Sequence, residues 1–176
     1  IGRNFKESFQ KGLVSLEVGY KGLDSLNNLT NKELRKKLNQ NLPDKLIVVA
    51  EAIRRNVSIK NIYKSTKIDP WFLEQISDLI KIEKKLKKNG IPKTFKEFSF
   101  IKSIGFSDSK IAELTKSPIK TIQQKRRKLK IFPVFKKIDT CAAEFKSGTP
   151  YMYSTYQKMP GNLSACESNP TKREKI

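Results

Sequence analysis

The sequence has no histidine and only two cysteines, Cys141 and Cys166. Without histidine it cannot form a Ser-His-Asp triad, a Cys-His dyad or a histidine-based metal site. Two isolated cysteines do not complete a zinc site, and no G-x-x-x-x-G-K-[ST] or G-x-G-x-x-G motif is present to hold a phosphate group. We therefore expect no active site, no cofactor and no metal within this chain.

Carboxylates are also placed in a way that does not suggest catalysis. Most fall at helix-capping positions or at (i, i+4) positions relative to a lysine, such as Glu7–Lys11 and Glu83–Lys87. Pairs of this kind stabilise helices, so helix support explains the acidic residues without any acid–base chemistry.

Long apolar runs are absent as well. No stretch approaches the roughly 18 to 20 apolar residues of a membrane span, and no secretory signal is visible. We expect a cytoplasmic protein with no membrane partner, whose two cysteines remain reduced thiols. Because the first residue is Ile1 rather than Met, we also expect both ends to continue into a longer protein.

Positive charge is what the sequence has in excess, with 37 Lys+Arg against 17 Asp+Glu and a formal net charge of +20. Such a balance is typical of proteins that bind nucleic acid or an acidic surface. Lysine, however, outnumbers arginine, and arginine is the better ligand for phosphates and guanine. An A+T-rich genome would produce the same excess on solvated faces, and both interpretations stay open.

Capping signals divide the first 130 residues into short helices. Three N-cap residues are followed three positions later by glutamate, as in a capping box, and the pair Asp69-Pro70 predicts the start of the longest helix, which stops before Asn89-Gly90. Gly19 is expected to end the first helix, and Pro43 to begin the third. The three boxes are Asn4 with Glu7, Thr30 with Glu33, and Thr94 with Glu97.

Apolar residues recur at helical spacing in these segments and predict the buried faces. The first helix carries a stripe that we expect to be a docking or core face, and the aromatic residues that open the longest helix are predicted to be core anchors. The predicted stripes are Phe5, Phe9, Leu13 and Leu16; Leu46, Val49, Ala50 and Ile53; and Phe72, Ile76, Leu79, Ile80 and Leu86, and the predicted anchors are Trp71 and Phe72.

A faint internal repeat relates two segments, "NIYKSTKIDPWFLEQI" and "KIAELTKSPIKTIQQK". Each predicts a short helix, a tight turn and a longer helix, with Asp69 and Ser117 as the caps of the longer helices. We predict that residues 59–86 and 109–129 superpose as two helix pairs. Chance in a biased composition is the alternative explanation.

The pattern changes after Ile131. Pro133 blocks a helix, and Gly148 and Pro150 prevent another. Tyr151, Tyr153 and, less regularly, Tyr156 indicate an extended segment with aromatics on one side, and the end from Met159 is polar and turn-rich. The predicted fold class is therefore all-α: an irregular array of short helices, with two similar helix pairs if the repeat is real, and an extended C-terminal segment.

Residues 107–131, "SDSKIAELTKSPIKTIQQKRRKLKI", resemble a helix-turn-helix whose second helix begins with polar and basic residues suited to DNA contacts. A small basic DNA-binding protein is thus the alternative function. A simple helical hairpin within a bundle explains the same pattern, and the turn has Ser117-Pro118 in place of the glycine often found in DNA-binding examples.

Four motifs carry a resemblance to a known family. "VFKKIDTCAAEFKSGTPYMYSTY" at 134–156 closely resembles the end of the connecting, or oligomerisation, domain of the carbamoyl phosphate synthetase large subunit. "NFKESFQKGLVSLEVG" at 4–19, "IDPWFLEQISDLIKIE" at 68–83 and "IKSIGFSDSKIAEL" at 101–114 are similar to other stretches of that domain. The resemblance covers about 150 residues, although residues 157–166 depart from the acidic segment usual in the family.

The resemblance implies a non-catalytic helical domain at residues 4–156, present as an internal fragment. Residues 1–3 would end the preceding ATP-grasp half, and residues 157–176 would lead into the second. The parent enzyme would be a glutamine-hydrolysing ligase of pyrimidine and arginine biosynthesis that uses ATP, Mg²⁺ and K⁺. The implied partners are the flanking ATP-grasp halves, other large subunits and a glutaminase small subunit, and no nucleic acid.

We further expect residues 140–156 to form a docking strap that fastens this domain to the second catalytic half. Small residues allow close backbone approach, and the aromatics supply apolar faces with polar tips. Closure of the domain's own core by the same residues is the alternative. The docking candidates are Phe5, Phe9, Leu13, Cys141, Phe145, Tyr151, Tyr153 and Tyr156.

Overall fold

The computed structural model describes residues 1–138, 140–141, 144–145, 151–156 and 166–168. Within that part the fold is an array of eight helices followed by one two-stranded antiparallel sheet, which confirms the predicted helical class and the extended C-terminal segment. The helices are α1 Phe5–Ser15, α2 Asn31–Leu38, α3 Lys45–Arg54, α4 Ile59–Thr66, α5 Pro70–Asn89, α6 Phe95–Ser103, α7 Asp108–Leu114 and α8 Ile119–Lys128, and the strands are β1 Pro133–Lys137 and β2 Met152–Tyr156.

Helix starts follow the capping signals closely. Thr30 and Thr94 each form a complete capping box with the glutamate three residues on. The side chain of Asn4 accepts from the Glu7 backbone N–H at 2.9 Å, as predicted. The Glu7 carboxylate, however, accepts from the backbone N–H of Arg3 at 2.8 Å, one residue before the predicted partner.

The centre of the fold is α5, a 20-residue helix about 30 Å long. It contacts α1, α3, α4 and α7, and α3 beside it is buried along most of its length. The core contains Val48, Val49, Ala50, Ile62, Ile76, Leu79, Phe98, Phe106, Ile111 and Ile122, each no more than 1% exposed. No helix in the described ranges is both long enough and apolar enough to cross a membrane.

Four predicted core positions are instead exposed: Leu16, Leu46, Trp71 and Phe72, at 58%, 37%, 50% and 42%. Each lies in the first turn of its helix or just beyond the last. The predicted ends also shift: α1 stops at Ser15, before Gly19, and α3 begins at Lys45, two residues after Pro43.

The two proposed repeat units share their local geometry. Ser58 and Ser107 are the N-caps of α4 and α7. Both helices are followed by a lysine in the left-handed region, Lys67 with φ 58° and Lys116 with φ 50°. A threonine hydroxyl donates to the carbonyl four residues earlier in each unit, Thr66 to Ile62 and Thr115 to Ile111, both at 2.8 Å. Superposition of the complete helix pairs stays a prediction.

The second helices of the two units start differently. Asp69 caps α5 as predicted, accepting from the Trp71 N–H at 2.8 Å. The prediction that Ser117 caps α8 is wrong, because Pro118 is the N-cap and offers no side-chain hydrogen bond. The Ser117 hydroxyl instead donates to the Thr115 carbonyl at 3.1 Å.

The sheet lies against α6, with Val134 of β1 paired to Thr155 of β2. Both residues are buried, at 5% and 1% exposure. The outer edge of β1 is met by the described segment 166–168, where the Glu167 N–H donates to the Phe135 carbonyl at 2.8 Å. The hairpin is therefore attached to the helical array through one face.

Candidate docking surfaces

Four aromatic rings form a cluster where α1 meets the start of α5. This aromatic cluster consists of Phe5, Phe9, Trp71 and Phe72. Phe5 stacks on Phe9 with centroids 5.4 Å apart, and lies 5.4 Å from Trp71 and 5.3 Å from Phe72. Trp71 and Phe72 meet edge to face at 4.9 Å. Because Trp71 and Phe72 are 50% and 42% exposed, the cluster is a surface feature with preassembled geometry.

Two helix starts and one ion pair hold this cluster in place. The N-caps at Asn4 and Asp69 fix the first turns of α1 and α5. The Lys6 ammonium then lies 2.9 Å from the Asp78 carboxylate and ties the two helices together. Hydrogen bonds with Lys6 and Lys81 hold the pKa of Asp78 below its usual range. The cluster is therefore positioned by the ordered starts of two helices.

On its opposite side α1 is seated on the end of α6. The side-chain amides of Asn4 and Gln10 donate to the Ser103 and Ile104 carbonyls, at 3.1 and 2.8 Å. These carbonyls have no partner within a helix, so α1 completes the α6 terminus. Gly105 allows this approach, because a Cβ there would lie 2.9 Å from the Cα of Glu7.

The predicted docking stripe of α1 is divided by the structure. Phe5 and Phe9 are half-buried within the aromatic cluster, whereas Leu13 is 7% exposed and belongs to the core. The side chain of Leu13 therefore packs in the core of this domain, and the docking role predicted for the stripe stays a prediction.

The tyrosines of the predicted strap have different surroundings. Tyr151 is 68% exposed. Tyr153 is half-buried, with the Lys11 ammonium 5.9 Å from its ring centroid, and Lys11 also donates to the Ser154 carbonyl. Tyr156 packs against the core, and burial raises the pKa of its hydroxyl. The end of β2 thus belongs to this domain's own packing.

The described residues in the earlier part of the strap, Cys141 and Phe145, are partly or mostly exposed to solvent. Phe145 is 75% exposed and Cys141 is half-buried, and the Glu144 N–H donates to the Cys141 carbonyl at 2.9 Å. Both Cys141 and Cys166 are thiols. Ala142, Ala143, Gly148 and Pro150, which entered the strap prediction, lie outside the described residues.

Charged groups beneath the hairpin form one network. The Lys102 ammonium lies 2.7 Å from Asp108 and donates to the Phe106 carbonyl at 2.8 Å, while Arg126 donates to the other Asp108 oxygen at 3.0 Å. Burial lowers the pKa of Lys102. Burial alone would raise the pKa of Asp108, but the two cations hold it below its ordinary value. The Tyr156 ring lies over Lys102 at 4.8 Å, so this network supports β2.

A second network closes the other side of the core. Arg54 donates two hydrogen bonds to Glu83, at 3.0 and 3.1 Å, and Lys110 lies between Asp24 and Glu113 at 2.9 and 2.8 Å. Burial raises the pKa of Glu83 although Arg54 opposes the shift. Within the described ranges no group of three His, Cys, Asp or Glu side chains could hold a metal ion. These charges are arranged to bind one another.

The surface position of Trp71 and Phe72 is what the sequence prediction missed. A signal was present, because the positions that share a face with Trp71 along α5 are mostly polar: Gln75, Asp78, Ile82, Lys85 and Asn89. A polar stripe that runs through a tryptophan indicates a surface residue.

The chain is similar to one described family over most of its length. The profile of the carbamoyl-phosphate synthetase large-chain oligomerisation domain matches residues 1–130. The carbamoyl phosphate synthase large chains of Mesorhizobium japonicum and Pseudomonas aeruginosa are 40% and 42% identical to it, over 100% of this chain. That of Buchnera aphidicola is 43% identical over 99%.

In each of these three relatives, this chain spans 16% of the length. The profile ends before the hairpin, but the pairwise alignments continue through it. None of these similarities supports the DNA-binding alternative. In the α7–α8 pair, Ile111 and Ile122 are fully buried, and Arg126 is held by Asp108 and by the Ile131 carbonyl.

Proposed function

The chain belongs to the family of the carbamoyl-phosphate synthetase large-chain oligomerisation domain, and we propose that it acts within a longer protein as a non-catalytic module through which copies associate. The aromatic cluster carries this proposal. Tryptophan and other aromatic residues are enriched at the centres of protein interfaces, and here four rings are fixed in place at the surface before any partner arrives.

The reaction of the longer protein is part of the proposal. It would be the glutamine-dependent synthesis of carbamoyl phosphate with ATP, Mg²⁺ and K⁺, in pyrimidine and arginine biosynthesis in the cytoplasm, carried out by ATP-grasp halves on either side of this domain and supplied by a glutaminase subunit. This chain would contribute geometry only. The engagement of Glu83, Asp108 and Glu113 in ion pairs supports that division.

The hairpin would connect this module to a neighbouring domain. Phe145 and Tyr151 are the most exposed of the predicted strap residues, at 75% and 68%, so the docking contact is assigned to them. Tyr156 and Thr155, which pack on the helical array, would anchor the hairpin at its base.

Sedimentation and calorimetry test the proposal together. We expect the 176-residue chain to associate reversibly with itself and to show no saturable binding of ATP at micromolar concentrations. A chain that stays strictly monomeric at about 100 µM would contradict the association role, since interfaces of roughly 800 Å² per partner normally give measurable dimers. Saturable ATP binding would contradict the non-catalytic role.

A further inference from the structure

One face of α5 keeps some solvent exposure from its first turn to its last, although α1 contacts it at Trp71 and Asp78. Residues at spacings of four and three, which lie on one side of a helix, run from the aromatic cluster to the C-terminal end of α5. This α5 stripe consists of Trp71, Gln75, Asp78, Ile82, Lys85 and Asn89, each exposed or half-exposed. On an otherwise central helix, such a face remains available to a partner.

The charges on α5 are separated along its axis. Near its start are Asp69, Glu74 and Asp78, whereas the second half has one acidic residue, Glu83, which is buried against Arg54. All the exposed charges of that second half are lysines: Lys81, Lys84, Lys85, Lys87 and Lys88. The surface of α5 is therefore acidic at the aromatic end and basic at the other.

A groove of about 840 Å³ opens beside the basic end. Ile82, Leu86 and Ile91 form part of an apolar floor, and Lys85 and Lys88 stand on its rim. One acidic group lines the groove, Glu97, and its carboxylate already accepts from the Lys93 and Thr94 N–H groups, both at 3.2 Å. The groove thus offers an apolar surface surrounded by cations, which suits aromatic rings.

We propose that two copies of the chain associate through antiparallel α5 helices, with the aromatic cluster of each copy in the lysine-rimmed groove of the other. This inference rests on the proposed role in association and names its surface. The antiparallel arrangement places the acidic end of one helix against the basic end of its partner, whereas a parallel arrangement would put lysines against lysines. The interface is isologous, so the same contact forms twice.

The positions of the α5 stripe residues determine the register of the two antiparallel α5 helices. When the two helices cross at Asp78, Trp71 of one copy lies opposite Lys85 of the other, and Asp69 opposite Lys87. Trp71 and Lys85 are about 21 Å apart along α5, so the two contacts flank the crossing point. The two Asp78 carboxylates that meet at the centre each have two cations nearby, Lys6 at 2.9 Å and Lys81 at 3.0 Å.

The surface area that a stable dimer must bury requires both cluster-to-groove contacts, and a single contact between two aromatic clusters is too small. Aromatic side chains bury about 150–250 Å² each when completely covered, so a half-exposed cluster supplies only roughly 300 Å². A stable interface needs roughly 800 Å² per partner. Aromatic clusters that faced each other directly would fall short, whereas the antiparallel arrangement also covers the groove and the stripe between.

A complementation experiment with the whole chain tests this pairing. The cluster variant, W71A/F72A, and the groove variant, K85E/K88E, are each expected to weaken dimerisation at least tenfold, because each removes its contact on both sides. Mixed in equal amounts, the two variants should associate more tightly than either alone. The mixed dimer retains one intact contact, in which the cluster of the groove variant enters the groove of the cluster variant.

The fluorescence of Trp71 provides a second measurement of the same pairing in the whole chain. Trp71 is the only tryptophan in the chain, so its emission reports on the cluster alone. In the unaltered chain we expect a blue shift with rising concentration, and the groove variant should lose it. Adding the cluster variant, which has no tryptophan, should restore the shift. A K60E/K64E control on α4 changes the net charge equally and should dimerise as the unaltered chain does.

The outcomes separate the two levels of the proposal. If the unaltered chain dimerises but the variants do so equally well, or the mixture is no tighter than its components, the α5 pairing is wrong and the association role stands. If the unaltered chain is monomeric at about 100 µM, both are overturned. Circular dichroism melts identify a variant that fails to fold, and in that case the concentration-dependent Trp71 shift of the unaltered chain decides whether the cluster becomes covered.

Discussion

At the scale of single residues, Gly105 determines how α1 meets α6. Its φ of +95° lies in the left-handed region, and a Cβ there would meet the backbone of Glu7 at 2.9 and 3.1 Å. Backbone atoms cannot rotate away as a side chain can, so a methyl group here must separate the two helices. The same separation would disturb Phe5 and Phe9, which lie on α1.

We therefore expect Gly105→Ala to lower the free energy of unfolding by about 2–4 kcal/mol, measured by urea denaturation. Gly19→Ala is the matched control, because Gly19 also has a positive φ, +87°, but nothing lies within 4 Å of its added Cβ. That control should lose only about 1 kcal/mol. Equal losses at the two positions would show that the contact with Glu7 is unimportant.

Asp108 links stability to pH. Its ordinary pKa is 3.8, and in the fold Lys102 and Arg126 hold the pKa lower although burial opposes them. A carboxyl with a lowered pKa in the folded state stabilises the protein above its unfolded pKa, and this contribution is lost as the pH falls below that value.

We expect the free energy of unfolding to fall as the pH drops below about 4, and the Asp108→Asn variant to show a shallower dependence on pH. Denaturant titrations between about pH 2 and pH 6 measure both curves. Parallel curves for the two proteins would mean that Asp108 does not contribute to the dependence.

At the scale of elements, capping signals were the most dependable part of the sequence. The complete boxes at Thr30 and Thr94 and the Asp69 cap are local patterns that depend on three or four neighbouring residues. The polar residues on the face of α5 that carries Trp71 were a signal for a surface position, but the degree of exposure of Trp71 and Phe72 could not be predicted from local patterns. It depends on where α1 lies against α5, and the two helices are more than fifty residues apart in the chain.

The repeated turns provide an element-scale prediction. Lys67 and Lys116 hold equivalent left-handed positions after α4 and α7, a conformation that glycine adopts without a steric cost. Substitution of either lysine by glycine should raise the free energy of unfolding by up to about 1 kcal/mol. Lys67→Gly should gain less, because the Lys67 ammonium also lies 5.8 Å from the Tyr63 ring. Opposite signs in thermal or urea denaturation would indicate that the two turns are not equivalent.

At the scale of the whole molecule, the helical array contributes most of the core and the hairpin contributes little. The core runs from Leu13 of α1 through α8 and ends at Ile131, which is 3% exposed. The sheet adds one small contact surface, in which β2 lies against α6 and is also held by Lys11 of α1, which donates to the Ser154 carbonyl. The sequence predicted a strap at residues 140–156, but which of its ends packs on this domain depends on the Lys102–Asp108–Arg126 network, whose members lie on three separate helices.

A chain truncated after residue 132 should therefore fold. It keeps Ile111, Ile122 and Ile131 in the core and loses only the hairpin contacts, so we expect a cooperative melt with the free energy of unfolding lowered by about 2–5 kcal/mol. A chain truncated after residue 105 should not fold, because it lacks Phe106, Ile111 and Ile122, each no more than 1% exposed. Circular dichroism and hydrogen exchange measure the result. If the chain that ends at residue 132 does not fold cooperatively, the hairpin is part of the core. The assignment of Phe145 and Tyr151 to a contact with a neighbouring domain would then lose its basis.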